Sequence, residues 1–235
     1  MSIKALFFDV FGTLVDWRGG IAREGEAFLA PRGFRLDWLD FADAWRGEYQ
    51  PAMEEVRSGK IAFARLDVIH RRMLDRIAAR FGLESLADAD RDLLTLAWHR
   101  LDAWPDVRRG MEKLGEKFLL APVSNGNIAL MVDLARRNHI RWDAILGAEI
   151  AGDYKPKPRV YLAAAEALAL APAECMMVAA HSYDLAAAAA CGLASAHLAR
   201  PDEKGKGRGE AAPSVAVDIA VGSLVELARQ TKGWQ

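Results

Sequence analysis

Short apolar runs that alternate with helical patterns constrain the fold of this chain more than any other feature of its sequence. The runs, each bounded by turn residues or helical patterns, cover residues 5–10, 118–124, 144–150, 175–180, 194–199 and 217–223. Runs of this length are typical of buried β-strands. Strands that alternate with helices predict an α/β fold, with a parallel sheet and right-handed crossover connections.

Residues 17–104 break the alternation. This interval carries several amphipathic helical patterns and no convincing strand. A helical block between the first two strands of a parallel sheet is best explained as a cap over the carboxyl edge of the sheet. We therefore expect a discontinuous core domain, residues 1–16 and 105–235, and an all-helical cap domain, residues 17–104.

Composition excludes several functional classes. The chain has 235 residues, 52% of them hydrophobic, and a formal net charge of −1. These values are typical of a globular protein and give no indication of disorder or of nucleic-acid binding. No apolar run approaches the ~18–20 residues of a membrane span, and the sequence shows no secretory signal pattern. We expect a cytoplasmic protein with two reduced core cysteines, Cys175 and Cys191.

Polar side chains follow several of the predicted strands. Asp9 ends the first run, with Thr13 in the turn after it, and Ser124 and Asn125 end the second. Lys155 lies on a proline-flanked loop before a helix, and Asp184 opens an alanine-rich helix. Ligands of open α/β sheets bind at this edge. Each residue taken singly is equally compatible with a structural role such as a turn, a helix cap or a surface charge.

The stretches DVFGT, SNGN, KPKPRVY and AAHSYD occur in this order along the chain. Together they resemble the four motifs of the haloacid dehalogenase (HAD) superfamily, and the resemblance includes the helical cap. It implies the HAD fold, which is a Rossmann-like parallel sheet core with an inserted all-helical cap.

Phe11 separates this chain from most of that superfamily. Magnesium-dependent phosphotransferases carry a second Asp at the position of Phe11, and further carboxylates in the last motif, where this chain has Ala179 and Ala180. Both differences remove oxygen ligands that a hard cation requires. We therefore expect no metal and no cofactor.

The remaining pattern resembles the L-2-haloacid dehalogenase branch. The resemblance implies an enzyme in which Asp9 attacks C2 of a short 2-haloalkanoic acid, displaces halide with inversion and forms an ester that water then cleaves. Thr13 would hydrogen-bond to Asp9. Lys155 would neutralise charge around Asp9, and Asp184 would pair with Lys155 and help to activate water. Halide needs no proton to leave, so no general acid is needed at Phe11.

The resemblance also implies a set of substrate-binding residues. Ser124 and Asn125 would hold the substrate carboxylate, Tyr161 would lie near the nucleophile, and Arg46 of the cap would face the leaving halide. Phe11 and Phe63 would contribute apolar wall, although core packing alone would explain either residue. A helix arginine exposed to solvent remains the structural alternative for Arg46.

The last motif departs from the dehalogenase pattern. Where that pattern reads SSNAWD, this chain has Ala179, His181 and Tyr183 at the first serine, the asparagine and the tryptophan. We hypothesise that His181 donates a hydrogen bond to a small halide such as fluoride, so that fluoroacetate is a substrate. Loss of the serine at Ala179 means that water or ester handling must be supplied by other residues.

Two other functions stay open at this point. One is a HAD-type phosphatase of a small phosphometabolite with a degenerate metal site, and the other is a catalytically silent binding protein on the same fold. The family resemblance favours a homodimer, although the same helices would also suit packing within the cap. The glycine-rich segment 202–213 predicts a mobile loop without chemistry.

Overall fold

A six-stranded parallel sheet forms the centre of the protein in the computed structural model, which describes residues 2–231. The strands are β1 (Ala5–Phe8), β2 (Leu119–Ser124), β3 (Leu146–Gly147), β4 (Cys175–Ala179), β5 (Ala194–Leu198) and β6 (Ile219–Val221). Their order across the sheet is β3-β2-β1-β4-β5-β6, and every neighbouring pair is parallel. The α/β class predicted from the sequence is confirmed.

β1 lies in the middle of the sheet, between β2 and β4. Phe8 pairs with Pro122 of β2 and with Val178 of β4. The three strands are parallel and in register, so their carboxyl ends lie at one edge of the sheet. Asp9 therefore emerges at the point where ligands of such sheets bind.

Helices fill the interval between β1 and β2. They are α1 (Trp17–Leu29), α2 (Trp38–Gly47), α3 (Tyr49–Arg57), α4 (Leu66–Ile77) and α5 (Asp88–Thr95), with 3-10 helices at Ala30–Arg32, Ala79–Phe81 and Leu96–Arg100. Asp16 and Asp37 cap α1 and α2 through backbone N–H groups of the first turn. Fully buried Trp45 and Trp98 pack edge to face in the centre of this block. The proposed domain boundaries stay a prediction.

The remaining helices cover the two faces of the sheet. They are α6 (Val107–Leu114), α7 (Ile128–Asn138), α8 (Ala148–Ala151), α9 (Pro158–Ala167), α10 (Ser182–Ala190) and α11 (Leu224–Gln230). Side chains of β1 alternate between two apolar clusters, with Leu6 and Phe8 in one and Ala5 and Phe7 in the other. Within residues 2–231, no helix is both long and apolar enough to cross a membrane.

The run at 144–150 differs from its prediction as a full strand. Only Leu146–Gly147 pairs with β2, and α8 begins at Ala148. Gly147 has φ +109°, and a Cβ at this position would lie 2.4 Å from the carbonyl oxygen of Ser124. The close approach of the two backbones requires glycine here and turns the chain out of the sheet after two residues.

Candidate active site

Four polar side chains meet at the carboxyl edge of the sheet. Asp9 follows β1, Thr13 lies in the turn after it, Lys155 precedes α9, and Asp184 lies in the first turn of α10. All four are buried, with at most 7% of each residue exposed. Because buried charges are costly unless they are paired, this cluster must be electrostatically balanced.

Both carboxylate oxygens of Asp9 accept hydrogen bonds. Oδ1 accepts from Nζ of Lys155 at 2.9 Å, and Oδ2 accepts from Oγ1 of Thr13 at 2.7 Å. Nδ1 of His181 lies 3.2 Å from Oδ2. Thr13 is itself oriented, because its Oγ1 accepts from the backbone N–H of Ala180 and its hydroxyl proton is thereby directed to Asp9.

The charge balance of the cluster favours an ionised Asp9. Burial acts to raise its pKa, but the charge of Lys155 and the hydrogen bond from His181 outweigh burial and hold the pKa well below the usual range. Burial acts in the opposite direction on Lys155, and the carboxylates of Asp184 and Asp9 overcome it and raise the pKa of the ammonium group. An anionic Asp9 next to a cationic Lys155 results.

Asp184 anchors the far side of Lys155. Its Oδ2 accepts from Nζ of Lys155 at 2.5 Å, and its Oδ1 accepts from the hydroxyl of Tyr161. Burial raises the pKa of Asp184, although the charge of Lys155 opposes that shift. Burial and the neighbouring Asp184 raise the pKa of Tyr161 above its ordinary value, so its hydroxyl stays a donor. Tyr161 thus contacts the Asp9 cluster through Asp184.

Asn125 joins the cap to the edge of the sheet. Its Nδ2 donates to the hydroxyl of Tyr49 at 2.9 Å, and its Oδ1 accepts from the backbone N–H of Lys155 at 2.8 Å. Ser124 ends β2 beside it, fully buried, and its Oγ accepts from the backbone N–H of Gly126. The predicted SNGN residues therefore lie at the same edge as Asp9.

Arg46 lies over a floor of aromatic rings. Its guanidinium carbon is 4.0 Å from the ring centre of Tyr49, 5.4 Å from that of Trp17 and 5.9 Å from that of Phe11. Within residues 2–231 its buried Nη1 has no hydrogen-bond partner. A buried cationic donor without an acceptor is ready to bind an anion.

Two further buried donors beside Phe11 lack acceptors. His70 and Trp98 stack with ring centres 4.2 Å apart, and both meet the ring of Phe11 edge to face. Among the described residues, neither ring nitrogen of His70 has a hydrogen-bond partner, and Nε1 of Trp98 also has none. Burial holds the pKa of His70 well below its ordinary value, so its ring is neutral. Sequence patterns gave no signal for either residue.

The structure places Phe63 away from this aromatic floor. Its ring packs on Tyr154, the residue before Lys155, with ring centres 5.3 Å apart. The hydroxyl of Tyr154 donates to the carbonyl of Ala64 at 2.6 Å. Phe63 therefore supports the junction of the cap with the Lys155 loop, and its predicted place in the pocket wall is not observed.

His181 lies between two carboxylates. Besides Asp9 at Nδ1, its Nε2 lies 3.0 Å from Oε2 of Glu203. Burial acts to lower the pKa of His181, but the hydrogen bonds with Asp9 and Glu203 outweigh it and raise the pKa to about 10. Neither ring nitrogen is free, so the hypothesis that His181 donates to a halide does not fit this geometry. His181 belongs to the surroundings of Asp9 instead.

A model of one protein family matches most of the chain. The match covers residues 3–192, and the family is described as haloacid dehalogenase-like hydrolase. This chain belongs to the haloacid dehalogenase-like hydrolases. Among curated proteins, (S)-2-haloacid dehalogenase 4A of Burkholderia cepacia is 26% identical over 217 residues, which cover 85% of this chain and 84% of that protein.

Two solved structures share the fold of this haloacid dehalogenase-like hydrolase at higher identity. A defluorinating L-2-haloacid dehalogenase is 40% identical, with a TM-score of 0.95 over 97% of this chain and 94% of that one. Another L-2-haloacid dehalogenase is 44% identical, with a TM-score of 0.93 over 97% of this chain and 98% of that one. The parallel core with an inserted helical cap is thus the family fold.

The residues of this haloacid dehalogenase-like hydrolase do not fit the magnesium ion that phosphotransferases of the same fold require. Both Asp9 oxygens already accept from Lys155, Thr13 and His181. Phe11 and Ala180 offer no oxygen side chains where such enzymes carry carboxylates. Among the described residues, no group of three or more His, Cys, Asp and Glu side chains is arranged to hold a metal.

The segment 202–213, which the sequence predicts as a mobile loop without chemistry, contains a buried acid. Glu203 is only 2% exposed and packs against the active site of this hydrolase, with Nε1 of Trp17 donating to its Oε1 at 2.9 Å. Gly12, with φ +86°, makes room for it, since a Cβ there would lie 2.2 Å from Oε1. An acid in a lysine- and glycine-rich loop carries no periodic signal, so the sequence gave no indication of this long-range contact.

A cavity of about 390 Å³ lies between the cap and the residues around His181. Cap residues Arg46 and Tyr49 line one side, and His181, Tyr183 and Glu203 line the other. Tyr183, which is 51% exposed, stacks on His181 with ring centres 5.7 Å apart. The volume suits a small molecule, and cationic Arg46 and His181 line the same opening.

Proposed function

We propose that this protein hydrolyses short 2-haloalkanoic acids, namely (S)-2-haloacids and haloacetates, to 2-hydroxy acids and halide. The reaction proceeds without a metal, through an ester on Asp9. The observation that carries the proposal is a buried, ionised carboxylate at the same sheet edge as a cationic donor that has no acceptor among residues 2–231. Asp9 is the carboxylate and Arg46 is the donor, whose guanidinium carbon lies 5.9 Å from the ring centre of Phe11, two residues after Asp9. The names of the related proteins support the same substrate class.

In the first step, an oxygen of Asp9 forms a bond to C2 while the bond from C2 to the halogen breaks with inversion. The halide leaves with the bonding electrons and needs no proton. Lys155 keeps the nucleophile ionised, and Asn125 and Ser124, at the same edge of the sheet, would bind the substrate carboxylate. Splitting one substitution into two steps is the general advantage of covalent catalysis.

Arg46 would bind the departing halide through Nη1. His70 and Trp98 present two more donors around the same Phe11 ring, and neither has a partner within residues 2–231. Fluoride is small and accepts strong hydrogen bonds, so a pocket with several buried hydrogen-bond donors suits it. We propose that the substrate range includes fluoroacetate, and the relative described as defluorinating supports this extension.

Halide release measured with a chelator present tests the proposal. We expect release from (S)-2-chloropropionate, chloroacetate and fluoroacetate, none from (R)-2-chloropropionate, and none from the Asp9→Asn variant. Phosphate release from p-nitrophenyl phosphate with magnesium, together with no halide release, would show that the protein is a phosphatase. Inactivity on both substrate classes would instead support the binding protein.

A further inference from the structure

The contacts of His181 with two carboxylates indicate that its ring is doubly protonated. An ionised carboxylate only accepts, so a ring nitrogen facing one must carry a proton. Nδ1 faces Asp9 at 3.2 Å and Nε2 faces Glu203 at 3.0 Å. Other charged or titratable groups nearby are Tyr183, whose ring stacks on His181, His197 on β5, and Arg46, whose charge acts on Glu203. The ring is therefore a buried imidazolium held between two anions.

The two oxygens of Asp9 are not equivalent. Oδ2 accepts a hydrogen bond from Thr13 and forms an ion pair with His181, whereas Oδ1 contacts only Lys155 among the described residues. An oxygen held by two partners has less electron density to give, so Oδ1 is the better nucleophile. Attack by Oδ1 leaves Oδ2 as the carbonyl oxygen of the ester, and Thr13 and His181 then face that oxygen.

We propose that His181 and Glu203 form an oxyanion-stabilising pair for hydrolysis of the Asp9 ester, with His181 as a catalytic residue and Glu203 as its positioning residue. This inference rests on the proposed function. It also identifies which residues handle the ester in a chain that has Ala179 in place of the family serine.

The hydrolytic step balances as follows. The water oxygen bonds to Cγ of Asp9, and the π electrons of the carbonyl move onto Oδ2, where Thr13 and His181 donate to the new charge. The electrons return as the bond from Cγ to Oδ1 breaks. Oδ1 leaves in the 2-hydroxy acid with one proton from the water, and the second proton is released to solvent. Donors already aligned on a developing oxyanion accelerate such steps about 10²–10³-fold each.

Glu203 is needed because Asp9 loses its charge in the ester. Among the described residues, Glu203 is then the one anion in direct contact with His181, and without it burial would drive the proton off the ring. Its position is fixed by Nε1 of Trp17 and by contact with Gly12. Asp184 is not available to pair with His181 in this way, because its two oxygens already accept hydrogen bonds from Lys155 and Tyr161.

Single-turnover kinetics with chloroacetate separate the two steps. Chloride release reports ester formation, and intact-protein mass reports the ester and its decay. For Glu203→Gln at pH 8 we expect chloride release within about threefold of wild type and ester decay slower by about 10²–10³-fold. The rate of ester decay in Glu203→Gln should recover as pH falls, because the His181 ring regains its proton. Asp202→Asn, which removes an exposed charge from the same loop, is the matched control and should decay at the wild-type rate.

Three results would contradict the proposed roles of His181 and Glu203. They are ester decay at the wild-type rate in Glu203→Gln, ester decay that becomes faster in this variant as pH rises, and an unchanged rate of ester decay in His181→Asn. The second result would make His181 a general base. His181→Asn also serves if Glu203→Gln fails to fold. Absence of any ester on wild-type Asp9, by contrast, would refute the proposed function itself.

Discussion

Nζ of Lys155 lies 2.9 Å from Oδ1 of Asp9 and bridges this carboxylate to a second one, that of Asp184, at 2.5 Å. All three groups are buried, so the ammonium is the charge that makes two neighbouring carboxylates tolerable in the interior. The arrangement links stability to the proposed chemistry, because Lys155, which balances the cluster, also keeps Asp9 ionised.

Lys155→Met should therefore weaken folding and catalysis together. Removing one partner of a buried ionic cluster typically costs about 3–5 kcal/mol. We expect a loss of this size in the free energy of unfolding, measured with urea. Chloride release should slow by about a hundredfold or more, with an acid limb in its pH profile as the pKa of Asp9 rises. Lys157→Met, at an exposed position two residues later, should change neither quantity, and equal effects in both variants would contradict the assignment.

The ionisation of His181 predicts a specific dependence of stability on pH. Its pKa is raised in the folded protein from 6.5 to about 10. The native state therefore holds a proton that the unfolded chain releases near pH 6.5. The resulting stabilisation is fully present below pH 6.5 and is lost as pH rises toward about 10.

We expect histidine ¹⁵N NMR to show both His181 nitrogens protonated at pH 8. The stability difference between wild type and His181→Asn should narrow from pH 6.5 to 9.5. Titration of His181 near pH 6.5 in the folded protein would show that Asp9 and Glu203 do not hold the proton.

Trp98→Phe tests the donors around Phe11. The change removes Nε1–H, which has no partner among residues 2–231, and keeps a ring for packing on His70. If this donor reaches the departing halide, fluoride release should fall by about tenfold more than chloride release, since fluoride accepts the stronger hydrogen bond. Trp142→Phe, next to Phe8 on the sheet, is the control. An unchanged fluoride-to-chloride ratio in Trp98→Phe would exclude the residue from the halide pocket.

Gly12→Ala should disturb Glu203 in particular. Gly12 and Gly207 both have positive φ, +86° and +70°, so alanine strains the backbone at either position. A Cβ at Gly12 would also meet Glu203 at 2.2 Å, whereas a Cβ at Gly207 meets nothing within 4 Å. We expect both variants to lose about 1 kcal/mol of stability or more, and only Gly12→Ala to accumulate the ester. Accumulation in both would indicate a general effect of strain.

Much of the core and of the Asp9 cluster could be predicted from sequence because the signals are local. The strand runs end on the polar residues, and parallel strands bring their carboxyl ends together, so Asp9, Lys155 and Asp184 could be placed at one edge. Gly147 shows the limit even here, since the turn that shortens β3 depends on contact with the backbone of Ser124.

Long-range contacts of single residues could not be predicted. Glu203 reaches His181 from a loop whose composition indicates only mobility, and His70 and Trp98 sit on helices where aromatic and histidine residues ordinarily pack in a core. The ring nitrogens of His70 and Trp98 have no hydrogen-bond partner within residues 2–231, and only the three-dimensional structure shows this. The halide role assigned to His181 failed for the same reason, because its second partner was not apparent.

A single turnover in H₂¹⁸O with excess enzyme tests the ester on Asp9 most directly. Water attacks Cγ in the proposed reaction, so one ¹⁸O atom should enter the Asp9 carboxylate, and the first 2-hydroxy acid released should carry oxygen from Asp9 and no label. Mass spectrometry of the Asp9 peptide and of the product measures both. Label in the product together with an unlabelled Asp9 peptide would mean direct attack of water on C2 and would contradict the account.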